Sequence, residues 1–120
     1  MKRILVVDDD AAIRGMLKQM LEREDYQVTC ASNGQEALDL LPQVKAEVVI
    51  TDLIMPDKEG IELIRELKMS YPDLPIIAMS GGNPRINSHL HLKMAGLLGA
   101  RVCFQKPLRR AELLAALAEL

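Results

Sequence analysis

Apolar and polar residues form a repeating pattern along the chain, in which short apolar runs alternate with stretches of spaced apolar residues. The runs are rich in β-branched residues, as in Ile4–Val7, which is typical of strands buried on both faces. In the stretches between them, apolar residues recur at the spacing of amphipathic helices. Strands are predicted at residues 4–7, 28–31, 47–51, 75–79 and 102–104. Helices are predicted around Ile13–Leu21, Ala37–Leu41, Ile61–Leu67, Leu90–Leu97 and Leu113–Leu117.

The order of these elements indicates the fold class. Strands that are each followed by a helix predict an α/β fold, with a parallel sheet covered by helices on both faces. Crossovers in such sheets are right-handed almost without exception. Pro42 is predicted to end the second helix, because proline lacks the N–H that a helix interior uses. The 120 residues fit one domain, so we expect residues 1–120 to fold together.

Composition narrows the class of protein. Hydrophobic residues make up 49% of the chain, but the aromatic ones are only Phe104, Tyr26 and Tyr71, so the core must be aliphatic. A net charge of −2 gives no electrostatic footprint for nucleic acid. Cys30 and Cys103 do not make a disulfide framework and favour a reducing compartment. Neither a signal-peptide pattern nor an apolar run of membrane-spanning length is visible, so we expect a cytoplasmic protein that does not contact a membrane.

Polar side chains occur where four of the predicted strands end. Asp8 and Asp9 follow the first strand, Asp52 the third, Ser80 the fourth and Lys106 the fifth. The carboxyl ends of parallel strands lie at one edge of the sheet, where open α/β sheets bind ligands. We therefore expect these side chains to converge in space.

The residue types at this edge indicate a chemistry. Three carboxylates packed together repel one another and need a cation, and all-oxygen ligation by few protein groups suits Mg²⁺. A carboxylate such as Asp52 can act as a nucleophile towards a phosphoryl group and form an aspartyl phosphate. Lys106 supplies a positive charge, and Ser80 a hydrogen-bond donor, for the phosphoryl oxygens.

These residues resemble the receiver domain of two-component signalling, a family that includes the bacterial chemotaxis regulator. The resemblance is carried by Leu5–Asp9, Asp52–Pro56, Gly60, Ser80 and Lys106–Pro107, in this order and at these spacings. It extends from the first strand to the last helix. It implies a flavodoxin-like (βα)5 fold, a doubly wound parallel sheet with the strand order 2-1-3-4-5.

The resemblance also implies a metal site. Asp52 is expected to be the phosphoacceptor and to contact Mg²⁺. Asp9 is expected to bind Mg²⁺ directly, and Asp8 largely through water. The backbone carbonyl of Ile54 is expected to be a further ligand.

The remaining implied roles concern the phosphoryl group and the partners. Ser80 is expected to be the hydroxyl that moves towards the phosphoryl group, and Lys106 to pair with its oxygens. The Lys106–Pro107 peptide bond is expected to be cis. The donor is expected to be a phosphohistidine on a sensor histidine kinase or a histidine phosphotransfer protein. An output partner is expected at the face made by the fourth helix, the fifth strand and the fifth helix.

The sequence departs from the family pattern at three positions. Cys103 stands where the family usually has an aromatic residue, and Phe104 should point to the opposite face of the strand. Output is therefore expected to depend on Ser80 and the loop after it. Ile54 and Gly82 occupy the two positions that tune hydrolysis, and neither side chain can orient water, so we expect a comparatively long-lived phosphorylated form.

Several other interpretations stay open at this point. An Asp-nucleophile phosphatase of the haloacid-dehalogenase type uses similar residues, although its nucleophile follows the first strand. A receiver-like module that binds a partner without phosphorylation is a further alternative, and an output domain beyond Leu120 is left open. Asp10 is interpreted as a helix cap or an exposed acid. His89 and His91 point apart at helical spacing and are not expected to bind metal.

Overall fold

The computed structural model describes residues 2–53, 60–80, 93, 96 and 98–120. Leu90, Met94 and Leu97, which mark the fourth predicted helix, lie outside the described residues. The elements with defined bounds are β1 (Arg3–Val7), α1 (Ala11–Glu22), β2 (Gln27–Ala31), α2 (Gly34–Val44), β3 (Val48–Asp52), α3 (Gly60–Ser70), β4 (Ile76–Ser80), β5 (Val102–Gln105) and α4 (Arg110–Ala118).

The strands form one parallel sheet in the order β2-β1-β3-β4-β5. This is the predicted doubly wound α/β fold with its predicted strand order. The register sets Val7 beside Thr51, Asp52 beside Met79, and Ser80 beside Gln105. The carboxyl ends of β1, β3, β4 and β5 are therefore close to one another.

The core consists of two aliphatic layers, one on each face of the sheet. On one face, α2 and α3 pack on residues such as Leu5 and Val49, and on the other, α1 and α4 pack on residues such as Ile4. Every residue of β3 and β4 is buried, which explains their continuous apolar sequences. Cys103 packs against the first layer and Phe104 against the second, so their predicted opposite orientations are confirmed.

The prediction that Pro42 ends α2 is wrong. The helix continues to Val44 and ends at Lys45, which adopts a left-handed conformation with a φ of 54°. Pro42 lies within the last turn, and its missing N–H removes one intrahelical hydrogen bond. Leu41 is buried beside it, and this packing favours the last turn over an earlier end.

No helix in the described part of the chain has both the length and the apolar character that crossing a membrane requires.

Candidate functional site

Four strands deliver polar side chains to the carboxyl edge of the sheet. Asp52 and Ser80 are the last residues of β3 and β4, so each lies inside its strand rather than just after it. Asp8 follows β1 directly, and Lys106 follows β5 directly. The Lys106–Pro107 peptide bond is cis, as the family resemblance implies.

Three carboxylates meet at this edge. One oxygen from each of Asp8, Asp9 and Asp52 lies within 4.8 Å of the other two. Asp8 is fully buried, Asp52 is 6% exposed, and Asp9 is exposed. Carboxylates this close repel one another, and burial of two of them weakens the screening by solvent.

Lys106 supplies a positive charge to this cluster. Its Nζ donates to Asp8 Oδ2 at 3.0 Å and lies 3.4 Å from Asp52 Oδ2. Burial by itself lowers the pKa of Lys106, but the hydrogen bond that Lys106 donates to Asp8 and the charges of Asp52 and Asp8 outweigh it and raise the pKa above its usual value. Three carboxylates against one ammonium leave two negative charges in excess.

The two oxygens of Asp8 have different partners. Oδ1 accepts the backbone N–H of Asp10 at 2.9 Å, and Oδ2 accepts the Lys106 ammonium. Asp10 in turn caps α1, because its Oδ1 accepts the backbone N–H of Ala12 at 2.9 Å. The interpretation of Asp10 as a cap is thus confirmed. Asp8 is held in place, whereas the Asp9 carboxylate faces solvent at the mouth of the cluster.

Ser80 brings a buried hydroxyl to the same edge. Its backbone carbonyl accepts the Lys106 N–H at 2.7 Å, so β4 holds the start of the segment that carries the lysine. The side chain is fully buried, and Oγ has no hydrogen-bond partner within the described ranges. A buried hydroxyl without a partner lowers the stability of the fold by about 1–3 kcal/mol. The Ser80 hydroxyl is therefore able to donate a hydrogen bond to a group that enters the site.

Gly60 lets α3 start directly against the end of β3. A Cβ at this position would lie 2.0 Å from the backbone oxygen of Asp52 and 2.5 Å from Leu53 Cα. The Gly60 N–H donates to the Leu53 carbonyl at 2.9 Å. This close approach fixes the backbone that carries the Asp52 side chain, and a side chain at position 60 would disturb it.

Sequence reasoning missed Arg14. Its Nη1 donates to the backbone carbonyl of Asp8 at 2.7 Å. The only signal in the sequence is a basic residue one turn into the helix that follows the acidic residues. Ile54 and Gly82, predicted to provide a ligand carbonyl and to affect hydrolysis, lie outside the described residues, as do His89 and His91.

Comparison with known proteins identifies relatives of this chain. The sequence model of the response regulator receiver domain matches residues 4–118. Response regulator MprA of Mycolicibacterium vanbaalenii is 39% identical over 114 residues, which make up 94% of this chain and 47% of that protein. This chain therefore spans about half the length of the curated relatives that it matches.

Solved structures agree with this result. A CheY-like receiver domain protein from Methanospirillum hungatei is 32% identical, with a TM-score of 0.89 over 99% of this chain and 92% of that one. The response regulator TrrA from Thermotoga maritima, solved in complex with Mg²⁺-BeF, is 33% identical, with a TM-score of 0.86 over 99% of this chain and 98% of that one.

The parallel sheet with an acidic site at its carboxyl edge defines a CheY-like α/β domain. Within that class, the chain belongs to the response regulator receiver domain family of two-component signalling.

Proposed function

We propose that this chain, residues 1–120, is a single receiver domain that accepts a phosphoryl group on Asp52 and changes conformation in response. The observation that carries the proposal is the pairing of Asp52 with Lys106, 3.4 Å apart, beside two further carboxylates. A nucleophilic carboxylate, a cation for the phosphoryl oxygens and an acidic pocket for a metal ion thus occupy one place.

The donor set fits Mg²⁺. Three carboxylate oxygens within 4.8 Å of one another and two excess negative charges suit a hard divalent cation. We infer that Asp9 and Asp52 would hold the ion directly, that Asp8 would act largely through water, and that the Ile54 carbonyl would complete the protein ligands. When bound, Mg²⁺ would neutralise charge on the phosphoryl oxygens. The complex of TrrA with Mg²⁺-BeF supports this inference, because that protein is 33% identical to this chain.

The protein's own groups account for the rest of the transfer. An Asp52 oxygen attacks phosphorus, a P–O bond to Asp52 forms, and the bond from phosphorus to the donor breaks with its electron pair leaving on the donor. Lys106 pairs with a phosphoryl oxygen, and Ser80 donates its unused hydroxyl to another. Positioning and charge neutralisation are sufficient for this chemistry, since phosphoryl transfer needs little covalent participation from the protein.

The same proposal covers partners and compartment. The donor would be a phosphohistidine of a sensor histidine kinase or a histidine phosphotransfer protein. An output partner would bind the face made by the fourth predicted helix, β5 and α4, where α4 is the fifth predicted helix. We propose a cytoplasmic location, and we propose that this domain does not itself contact nucleic acid or membrane. It would act as a switch that is phosphorylated and dephosphorylated, not as a turnover enzyme.

The two alternatives have less support. A haloacid-dehalogenase phosphatase has its nucleophile after the first strand. Here the proposed nucleophile, Asp52, lies at the end of β3, and Lys106 contacts it as well as Asp8 after β1. A binding module that is never phosphorylated has no need for three carboxylates and a lysine in contact. The match to the receiver family over residues 4–118 favours neither.

Incubation with acetyl phosphate and MgCl₂, followed by intact-mass analysis, tests the proposal. We expect one phosphoryl adduct on the wild type, no adduct on Asp52→Asn, and an unchanged adduct on Asp73→Asn, which alters an exposed acid far along the chain. An adduct that persists in Asp52→Asn would place the phosphoacceptor elsewhere. Repeated hydrolysis of a generic phosphate ester by the wild type would instead favour the phosphatase.

A further inference from the structure

Arg14 connects α1 to the end of the strand that precedes the acidic residues. It lies in the second turn of the helix, and its half-buried side chain extends back to donate from Nη1 to the Asp8 carbonyl at 2.7 Å. A charged donor at this distance makes a stronger hydrogen bond than a neutral donor does. The Arg14 guanidinium therefore holds the backbone of the acidic segment directly, at the Asp8 carbonyl.

This contact falls where the β-ladder ends. The Asp8 N–H donates to the Ala31 carbonyl at 3.1 Å, and Ala31 is the last residue of β2. The Asp8 carbonyl thus lies just past the paired part of β1, and Arg14 supplies a donor to it there. The residue that precedes Asp9 is consequently held by β2 at its N–H and by α1 at its carbonyl.

We propose that Arg14 is a positioning residue for the acidic site. By holding the Asp8–Asp9 peptide it directs the exposed Asp9 carboxylate towards Asp8 and Asp52, and so sets the affinity of the cluster for a divalent cation. This inference rests on the proposed function, since it concerns the cation that the same site would bind.

Two effects of opposite sign make the inference testable. Arg14 carries a positive charge beside the backbone of the acidic segment. The loss of this charge alone should strengthen cation binding, by about five-fold at most for a partly exposed group. Loss of positioning should weaken binding, because Mg²⁺ demands near-ideal ligand geometry. Losses of outer-shell partners of metal ligands typically weaken metal binding by about 10–100-fold. The larger effect is positioning, so the net change should be weaker binding by about ten-fold.

The experiment measures the thermal unfolding midpoint of Arg14→Met during a titration with MgCl₂, starting from EDTA. We expect the Mg²⁺ concentration that raises the midpoint by a fixed amount to be about ten-fold higher than for the wild type. Lys18→Met is the matched control, because Lys18 is exposed on the same helix and should leave that concentration unchanged. A purely structural role would lower the unfolding midpoint in EDTA and leave the Mg²⁺ concentration unchanged.

Conservative variants separate charge from hydrogen bonding. Arg14→Lys keeps a charged donor and should recover part of the Mg²⁺ affinity. Arg14→Gln is shorter and uncharged, should bind Mg²⁺ more weakly than the wild type, and replaces the methionine variant if that variant fails to fold. An Mg²⁺ affinity in both Arg14→Met and Arg14→Gln that equals or exceeds that of the wild type would overturn the inference. If wild type and Lys18→Met both ignore Mg²⁺, the proposed cation site is itself wrong, and the inference falls with it.

Discussion

Replacement of Lys106 by methionine tests whether the lysine stabilises a fold that brings three carboxylates into contact. Methionine keeps much of the apolar stem and removes the charge. The lysine side chain is only 15% exposed, and one of its two partners, Asp8, is fully buried. Without Lys106, a buried carboxylate would therefore remain beside two others with no ammonium in contact.

The structure sets the magnitude. At an effective dielectric constant of about 20, the attractions over 3.0 Å to Asp8 and 3.4 Å to Asp52 are each about 5 kcal/mol, before the cost of burying the lysine is subtracted. Removal of one partner from a buried ion pair typically costs about 3–5 kcal/mol. We expect Lys106→Met to lower the free energy of unfolding by about 3 kcal/mol in the absence of Mg²⁺.

Urea unfolding followed by circular dichroism in EDTA measures this loss. The same substitution should cost about 1–3 kcal/mol less in an Asp8→Asn background, where the buried charge that needs the lysine is gone. Lys18→Met, an exposed lysine on α1, should stay within about 0.5 kcal/mol of the wild type. An equal cost of Lys106→Met in both backgrounds would refute the reasoning, because the lysine would then stabilise the fold independently of Asp8.

The remaining predictions concern the backbone, the thiols and the phosphoryl lifetime. Gly60→Ala should destabilise by more than about 3 kcal/mol in urea unfolding, because its Cβ would overlap the backbone of the preceding strand, whereas Gly15→Ala, with open space and a helical position, should stabilise by about 0.5–1 kcal/mol. Equal effects would contradict this. Burial raises the pKa of the Cys30 and Cys103 thiols, so both should react with a disulfide reagent more slowly at pH 8 in the folded chain than in urea. Radiolabelled phosphate on Asp52 should be lost slowly, because the two residues expected to tune hydrolysis are aliphatic or glycine, and decay within seconds would refute this.

The fold was predictable because its sheet is buried on both faces. Strands such as β3 and β4 have no polar face, so each is a short apolar run that ends in a polar residue. The shortness of these runs and their β-branched residues distinguish them from the helices. The convergence of Asp8, Asp52 and Lys106 followed from the rule that parallel strands end at one edge. The end of α2 did not follow, since the proline rule is local and the burial of Leu41 is a tertiary effect.

The parts of the site that sequence reasoning missed depend on contacts between backbone and side chain. The bond from Arg14 to the Asp8 carbonyl leaves no pattern in the residue types, because a carbonyl is present at every position. The role of Gly60 is similar, since a glycine after a strand predicts a turn equally well. Only the structure shows that glycine is required at position 60, because a Cβ there would lie 2.0 Å from the backbone oxygen of Asp52.

The site combines two features that folded proteins usually avoid, and this combination explains how binding can drive a change of shape. Asp8, Asp9 and Asp52 hold excess negative charge, and the buried hydroxyl of Ser80 lacks a partner in the described structure. Each feature raises the free energy of the unliganded state. In the proposed function each would be relieved by a different event, the first by a bound cation and the second by a phosphoryl group on Asp52. A ligand shifts a conformational equilibrium only by its difference in affinity for the two states. In the proposed function, a phosphoryl group on Asp52 would recruit Ser80 and keep Lys106. It would have that difference in affinity because Ser80 ends β4, and its carbonyl accepts the Lys106 N–H at the start of the segment that leads to α4.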